Sequence, residues 1–129
     1  MMKRNNFKKR VVNNVKMSVK LAKPSKNAKY TYDHESLIEL LTMGVFGKFS
    51  IPLYASKKAL FGEAGKKGTV AVGYINSFNA ETETFEVTVK ENFGDVISTF
   101  EDAVISPNVF VKDGKAVTVL SLNICPNFA

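Results

Sequence analysis

From Thr69 onward the chain is punctuated as a series of hairpins, and this pattern restricts its fold more than any other feature. Val70, Val72, Tyr74 and Ile75 precede a turn at Asn79-Ala80-Glu81, after which Phe85, Val87 and Val89 alternate with Thr84, Glu86, Thr88 and Lys90. Alternation of apolar and polar residues is the period of a strand with one buried and one wet face. Residues 103–112 and 115–124 flank Asp113-Gly114, a pair suited to a two-residue turn in which both positions need φ > 0. Two hairpins are expected here. Upstream, Val15, Met17, Val19 and Leu21 alternate with Lys16, Ser18 and Lys20, which predicts a strand over 15–21 that packs on the body and still displays charge. Residues 46–54 alternate loosely and predict a further strand. Pro52 pushes it toward a sheet edge, because proline has no N–H for the ladder.

Helical signals are fewer. Asp33 is suited to be an N-cap, Glu35 complements the helix dipole in the first turn, and Leu37, Ile38, Leu40 and Leu41 make one apolar face before Gly44 can stop the helix. Residues 92–102, with Phe93, Gly94, Val96, Ile97 and Phe100, fit either a connecting strand or one helical turn. Residues 57–68 hold Gly62, Gly65, Gly68 and four lysines and read as a loop. Five or six short strands with one short helix predict a mainly β fold closed into a small barrel, because closure removes exposed strand edges.

Charge divides the chain differently. Residues 1–29 carry ten Lys and Arg and no acid, while the remainder holds eight Lys against twelve Asp and Glu, so a segment of +10 precedes a body of −4 within an overall +6. The expected organisation is a basic N-terminal arm over 1–29, with a tail at 1–10 and the strand at 15–21, and a barrel domain over 30–129. One sign at that density repels itself unless an anion neutralises it, so a nucleic acid is the expected partner, the alternatives being an acidic protein or membrane surface and a solvated tail without a partner. Lys3, Arg4, Lys8, Lys9, Arg10, Lys16, Lys20, Lys23, Lys26 and Lys29 are the candidate nucleic-acid-binding residues. Phe7, inside the basic run, is a candidate for stacking on an unpaired base, the alternative being an anchor that docks against the body or a neighbouring subunit. If six to ten of these charges meet phosphates, affinity should fall roughly 10³- to 10⁵-fold from low to moderate salt. The Lys57-Lys58 and Lys66-Lys67 pairs would extend that footprint or simply be solvated.

Several classes of chemistry find no support. A single cysteine, Cys125, and a single histidine, His34, make neither a disulfide framework nor a zinc-ligand spacing, so no metal and no cofactor is expected. The default for Cys125 is an inert, wholly or partly buried thiol in a reducing compartment. Asp33-His34-Glu35 gathers three titratable groups, but consecutive residues at a helix start diverge, and capping accounts for them. The glycines of residues 57–68 lack the lysine-serine ending of a phosphate-binding loop. No enzyme is expected. The first residues are charged without an apolar run behind them, unlike a secretory signal. The apolar-leaning stretch 37–54 is broken by Glu39, Lys48 and Pro52 and does not suit a membrane span. A cytoplasmic or virion setting is expected.

A short helix, a strand, Gly73-Tyr74-Ile75-Asn76-Ser77-Phe78-Asn79, Phe85-Glu86-Val87-Thr88-Val89 and Ala103-Val104-Ile105-Ser106-Pro107 follow one another in an order that resembles Sm/Hfq-like small β-barrels over residues 34–108. The resemblance implies an Sm-like barrel, ring formation and RNA binding; an OB-like barrel fits the same strand count. The long segment 57–68, the strand before the helix and the hairpin after Asp113 depart from that family's pattern, so no ring-binding residue is carried over. The function expected is non-catalytic nucleic-acid binding through the basic arm. The alternative is a viral or phage structural component, coat or packaging, whose body associates with copies of itself while its arm reaches a neighbour or the genome.

Overall fold

A computed structural model describes residues 14–23, 32–43, 51–62 and 67–126. Six strands, β1 (Val15–Leu21), β2 (Ile51–Ser56), β3 (Thr69–Asn79), β4 (Thr84–Val89), β5 (Val104–Lys112) and β6 (Lys115–Cys125), close into a barrel in the order β1-β4-β3-β2-β6-β5. Among the described residues three helices decorate it: α1 (His34–Thr42), α2 (Lys57–Phe61) and α3 (Glu91–Ser98). Among the described residues no helix is long and apolar enough to cross a membrane.

The predicted alternation of β1 is what closes the wall. Met17, Val19 and Leu21 turn inward and Lys16, Ser18 and Lys20 outward. The strand lies antiparallel to β4 from Val15↔Val89 to Lys20↔Thr84 and parallel to β5 at Lys20↔Val104 and Leu21↔Ile105. Residues 15–21, assigned by charge to the arm, are thus structurally a stave of the barrel. Their apolar face outweighs their charge, since burying one Val or Leu side chain contributes about 1.5–3 kcal/mol.

The interior is a continuous apolar cluster. Phe85, Ile75, Leu53, Ile105, Leu122 and Ile124 are fully buried, and Phe78 tilts against Phe85 with ring centroids 4.7 Å apart. At Gly73 the wall of β3 comes so close to β4 that a Cβ would stand 2.0 Å from the carbonyl oxygen of Thr88; only glycine fits there. Leu37 and Leu41 of α1 are buried, and α1 lies against β6. Asp33 caps α1 by accepting from the Glu35 amide at 3.2 Å. The Ser36 hydroxyl donates to the Asp33 carbonyl at 2.6 Å and accepts from the Ala116 amide at 2.9 Å, fixing the helix to the strand. Gly44, expected to end this helix, lies outside the described residues; α1 runs to Thr42.

Other expectations are refined. The strand predicted over 46–54 occupies Ile51–Ser56 where described. Pro52 is tolerated without a sheet edge: it faces Tyr74 of β3 and precedes the β2–β6 ladder, which consists of Leu53↔Leu122 and Tyr54↔Asn123. Residues 57–61, read as loop, form α2, because the Ser56 hydroxyl accepts from the Ala59 amide at 3.0 Å and starts a turn. The ambiguous segment 92–102 contains α3, with Ile97 buried and Phe93, Val96 and Phe100 packed on the core. Asp113 and Gly114 adopt φ of 53° and 76°, the geometry expected of their turn.

Candidate nucleic-acid interface

Outward positions along β1, β4, β3 and β2 form rows across the wall. Register places Lys16 beside Thr88, Thr88 beside Tyr74 and Tyr74 beside Pro52. The next row is Ser18, Glu86 and Ser77, and the one above is Lys20, Thr84 and Asn79. Lys16 and Lys20 are exposed, and among the described residues neither takes part in an ion pair, the salt bridge present being His34 to Glu83. Between them the Ser18 hydroxyl donates to a Glu86 carboxylate oxygen at 2.6 Å. This outer wall is polar with cationic points.

Two residues of that wall depart from plain alternation. Thr88 faces outward yet is only 3% exposed, so the expected wet face of β4 is wet at Glu86 and dry at Thr88. Its hydroxyl accepts from the Asn76 side-chain amide at 2.8 Å. Asn76 is the extra residue where the β3–β4 register shifts between Ile75 and Ser77, and such a bulge re-aims a side chain. Here it leans Asn76 over the β4 hydroxyl, satisfying a group that would be expensive to bury unpaired. Tyr74 and Tyr54 are half-buried on the outward side of β3 and β2.

At the lower end of β2 and β3, Ser56 pairs with Thr69 and the Lys57 amide donates to the Gly68 carbonyl at 2.9 Å. Lys57, Lys58 and Lys67 are exposed there. Lys23, just beyond β1, is exposed too. Of the residues proposed from sequence, Lys16, Lys20 and Lys23 are therefore on or beside one strand. Lys3, Arg4, Phe7, Lys8, Lys9, Arg10, Lys26 and Lys29 lie outside the described residues, as does Lys66.

The titratable cluster at the start of α1 separates as capping requires. Asp33 turns to its own helix, while His34 Nε2 pairs with Glu83 Oε1 at 2.9 Å across a partly exposed surface. Cys125 is half-buried with its Sγ 3.8 Å from the Val104 carbonyl. Burial pushes its thiol up from the ordinary value, which lowers its thiolate fraction and its reactivity. Burial likewise raises the Tyr32 phenol. No group of three or more His, Cys, Asp or Glu able to hold a metal occurs among the described residues.

The tyrosines of the wall were missed by sequence reasoning. Their signal was the outward parity of Tyr54 and Tyr74, which becomes readable only once the bulges of β3 and the register of four strands are known. No family model, curated protein or solved structure matches this chain.

Proposed function

We propose that this protein is a non-catalytic nucleic-acid-binding protein whose lysine-rich N-terminal segment and outer barrel wall together engage a polyanion. The observation that carries this reading is the outward, exposed placement of Lys16 and Lys20 on β1, a strand that lies within the acid-free segment 1–29. A phosphate backbone is the extended anion that such a row suits, and phosphate contacts of this type position a ligand without reading its sequence. The likeness to Sm/Hfq-like barrels, drawn from the residues alone, supports the same class of ligand.

The test is an anisotropy titration of labelled DNA and RNA at rising salt. Binding should weaken steeply with salt, and the double variant Lys16→Gln/Lys20→Gln should lower the logarithmic salt slope by about 1–2. Affinity absent at low salt, or flat across the series, defeats the reading. Truncation is informative only if it begins at Asn14, since a chain starting at Tyr30 loses β1 and with it the closed wall.

A second reading, an assembly component of a virion, is favoured by the apolar surface of β5 and β6. Phe110 is 54% exposed, Val117 47% and Leu120 59%, Val117 and Leu120 line one groove with Leu40 and Ile51, and exposed apolar surface is a common mark of self-association. Sedimentation that finds a monomer at every concentration rules against it.

A further inference from the structure

Resting on the nucleic-acid reading above, we infer that the ligand is single-stranded and lies across the β1–β4–β3–β2 wall, with Tyr74 and Tyr54 as the positions on which bases stack. The arrangement is diagonal. Lys20 and Lys16 stand on β1, Tyr74 lies two strands away in the row of Lys16, and Tyr54 follows on β2, opposite Ala71. Lys57 and Lys58 come next in α2. With neighbouring strands about 4.8 Å apart, Lys16 and Tyr74 are separated laterally by about 10 Å. Cations thus occupy both flanks and aromatic rings the middle.

Chemistry selects the single strand. Every base offers a π-face to an aromatic ring, but in a duplex those faces are covered by their neighbours. Readers of the duplex major groove insert a helix or ribbon; here Lys16 and Lys20 stand on a barrel wall, Lys57 and Lys58 lie in a helix of five residues, and the longer α3, with Glu91 and Asp95, carries the opposite charge. The centre of the wall is also a poor place for phosphate, because Glu86 sits between the rows of Lys16 and Lys20 with its carboxylate engaged by Ser18. Repulsion there and attraction at the flanks orient the strand with bases against the wall and phosphates at the lysines. Glu86 and the Asn76 amide give the bases an acceptor and a donor.

The test compares a fluorescein-labelled oligothymidylate with a duplex of equal length, using the full chain, Tyr74→Ala, Tyr74→Phe and Tyr54→Ala, each checked for folding by circular dichroism. The native chain should prefer the single strand. Each alanine variant should lose about 5- to 150-fold in affinity for it, with little change for the duplex, while Tyr74→Phe keeps most of it. The chain has no tryptophan, so tyrosine emission can be followed directly, and single-stranded probe should quench it while duplex does not. This readout needs no variant. Equal or tighter duplex binding, unquenched tyrosine emission, or folded alanine variants that bind the oligothymidylate as the native chain does would overturn the stacking track and leave salt-sensitive binding standing. Absence of binding to both probes at low salt would remove the nucleic-acid reading itself.

Discussion

The wall of β1, β4, β3 and β2 and the hairpin of β5 and β6 are both antiparallel and both bulged, yet their surfaces differ in kind. In the wall, the bulge residue Asn76 is polar and finishes a hydrogen bond to Thr88. In the hairpin, the register shifts between Asn108 and Val109 and between Phe110 and Val111, which leaves Leu120 and Val117 of β6 as the extra residues. Both are apolar and exposed. They line a groove of about 310 Å³ with Leu40, Leu41, Ile51 and Val119. A bulge is thus only a backbone device; the residue placed in it decides whether a surface gains a satisfied polar network or an apolar rim.

Substitutions can break this contrast. The largest effect is expected for Gly73→Ala in the wall. A methyl group 2.0 Å from the Thr88 carbonyl oxygen and 2.9 Å from the Val89 Cα meets backbone that cannot swing aside, so stability in urea unfolding should fall by about 4 kcal/mol or more. Asn76→Ala should come next. It leaves the buried Thr88 hydroxyl without its donor, a loss of about 1–3 kcal/mol, and Asn76→Ala/Thr88→Val should recover part of it. Gly114→Ala tests the hairpin turn. Its φ is 76° with nothing within 4 Å of the added methyl, so only the left-handed backbone penalty of about 1–2 kcal/mol applies. Smallest of all, Leu120→Ser should change stability by less than about 0.5 kcal/mol, because the residue is 59% exposed. Equal losses at Gly73 and Gly114 would show that the wall is no tighter than the turn.

Alkylation of Cys125 probes the end of β6, where the residue pairs with Val104 of β5. Its thiol is raised by burial, so its contribution to stability is present at neutral pH and is lost as pH rises through the folded-state value. Iodoacetamide should modify the folded chain more slowly than the urea-unfolded chain at neutral pH, and the gap should narrow in alkali. Equal rates would mean that the β6 end is open.

Much of the fold was legible because its determinants are local. Alternation marked β1 and β4, the Val, Tyr and Ile residues ahead of the Asn79 turn marked β3, Asp113-Gly114 specified the turn that joins β5 to β6 by the backbone angles it tolerates, and Asp33 announced the start of α1. α3 was half-legible: Phe93, Val96, Ile97 and Phe100 fit a helical face, but Gly94 obscures it until Val15 is seen packed against that glycine, 2.9 Å from where a Cβ would stand. α2 is too short for any period, and its start depends on one hydroxyl. The burial of Thr88 and the alignment of Lys16 with Tyr74 depend on register shifts between strands, which no single segment encodes. The strand over 15–21 was legible from its alternation, but the charge division counted it with the arm until its pairing with β4 and β5 placed it in the barrel wall.

The barrel is shut by two parallel seams, β1 to β5 and β2 to β6, each only two residue pairs long, whereas β4 is laddered along its length on both sides and β3 is covered end to end by β2 over 69–75 and β4 over 73–79. The easiest partial opening therefore lifts β5 and β6 away as one flap, its internal ladder intact. Backbone amides at these seams would trade hydrogen for deuterium well before those shared by β3 and β4, giving a cylinder with a built-in door.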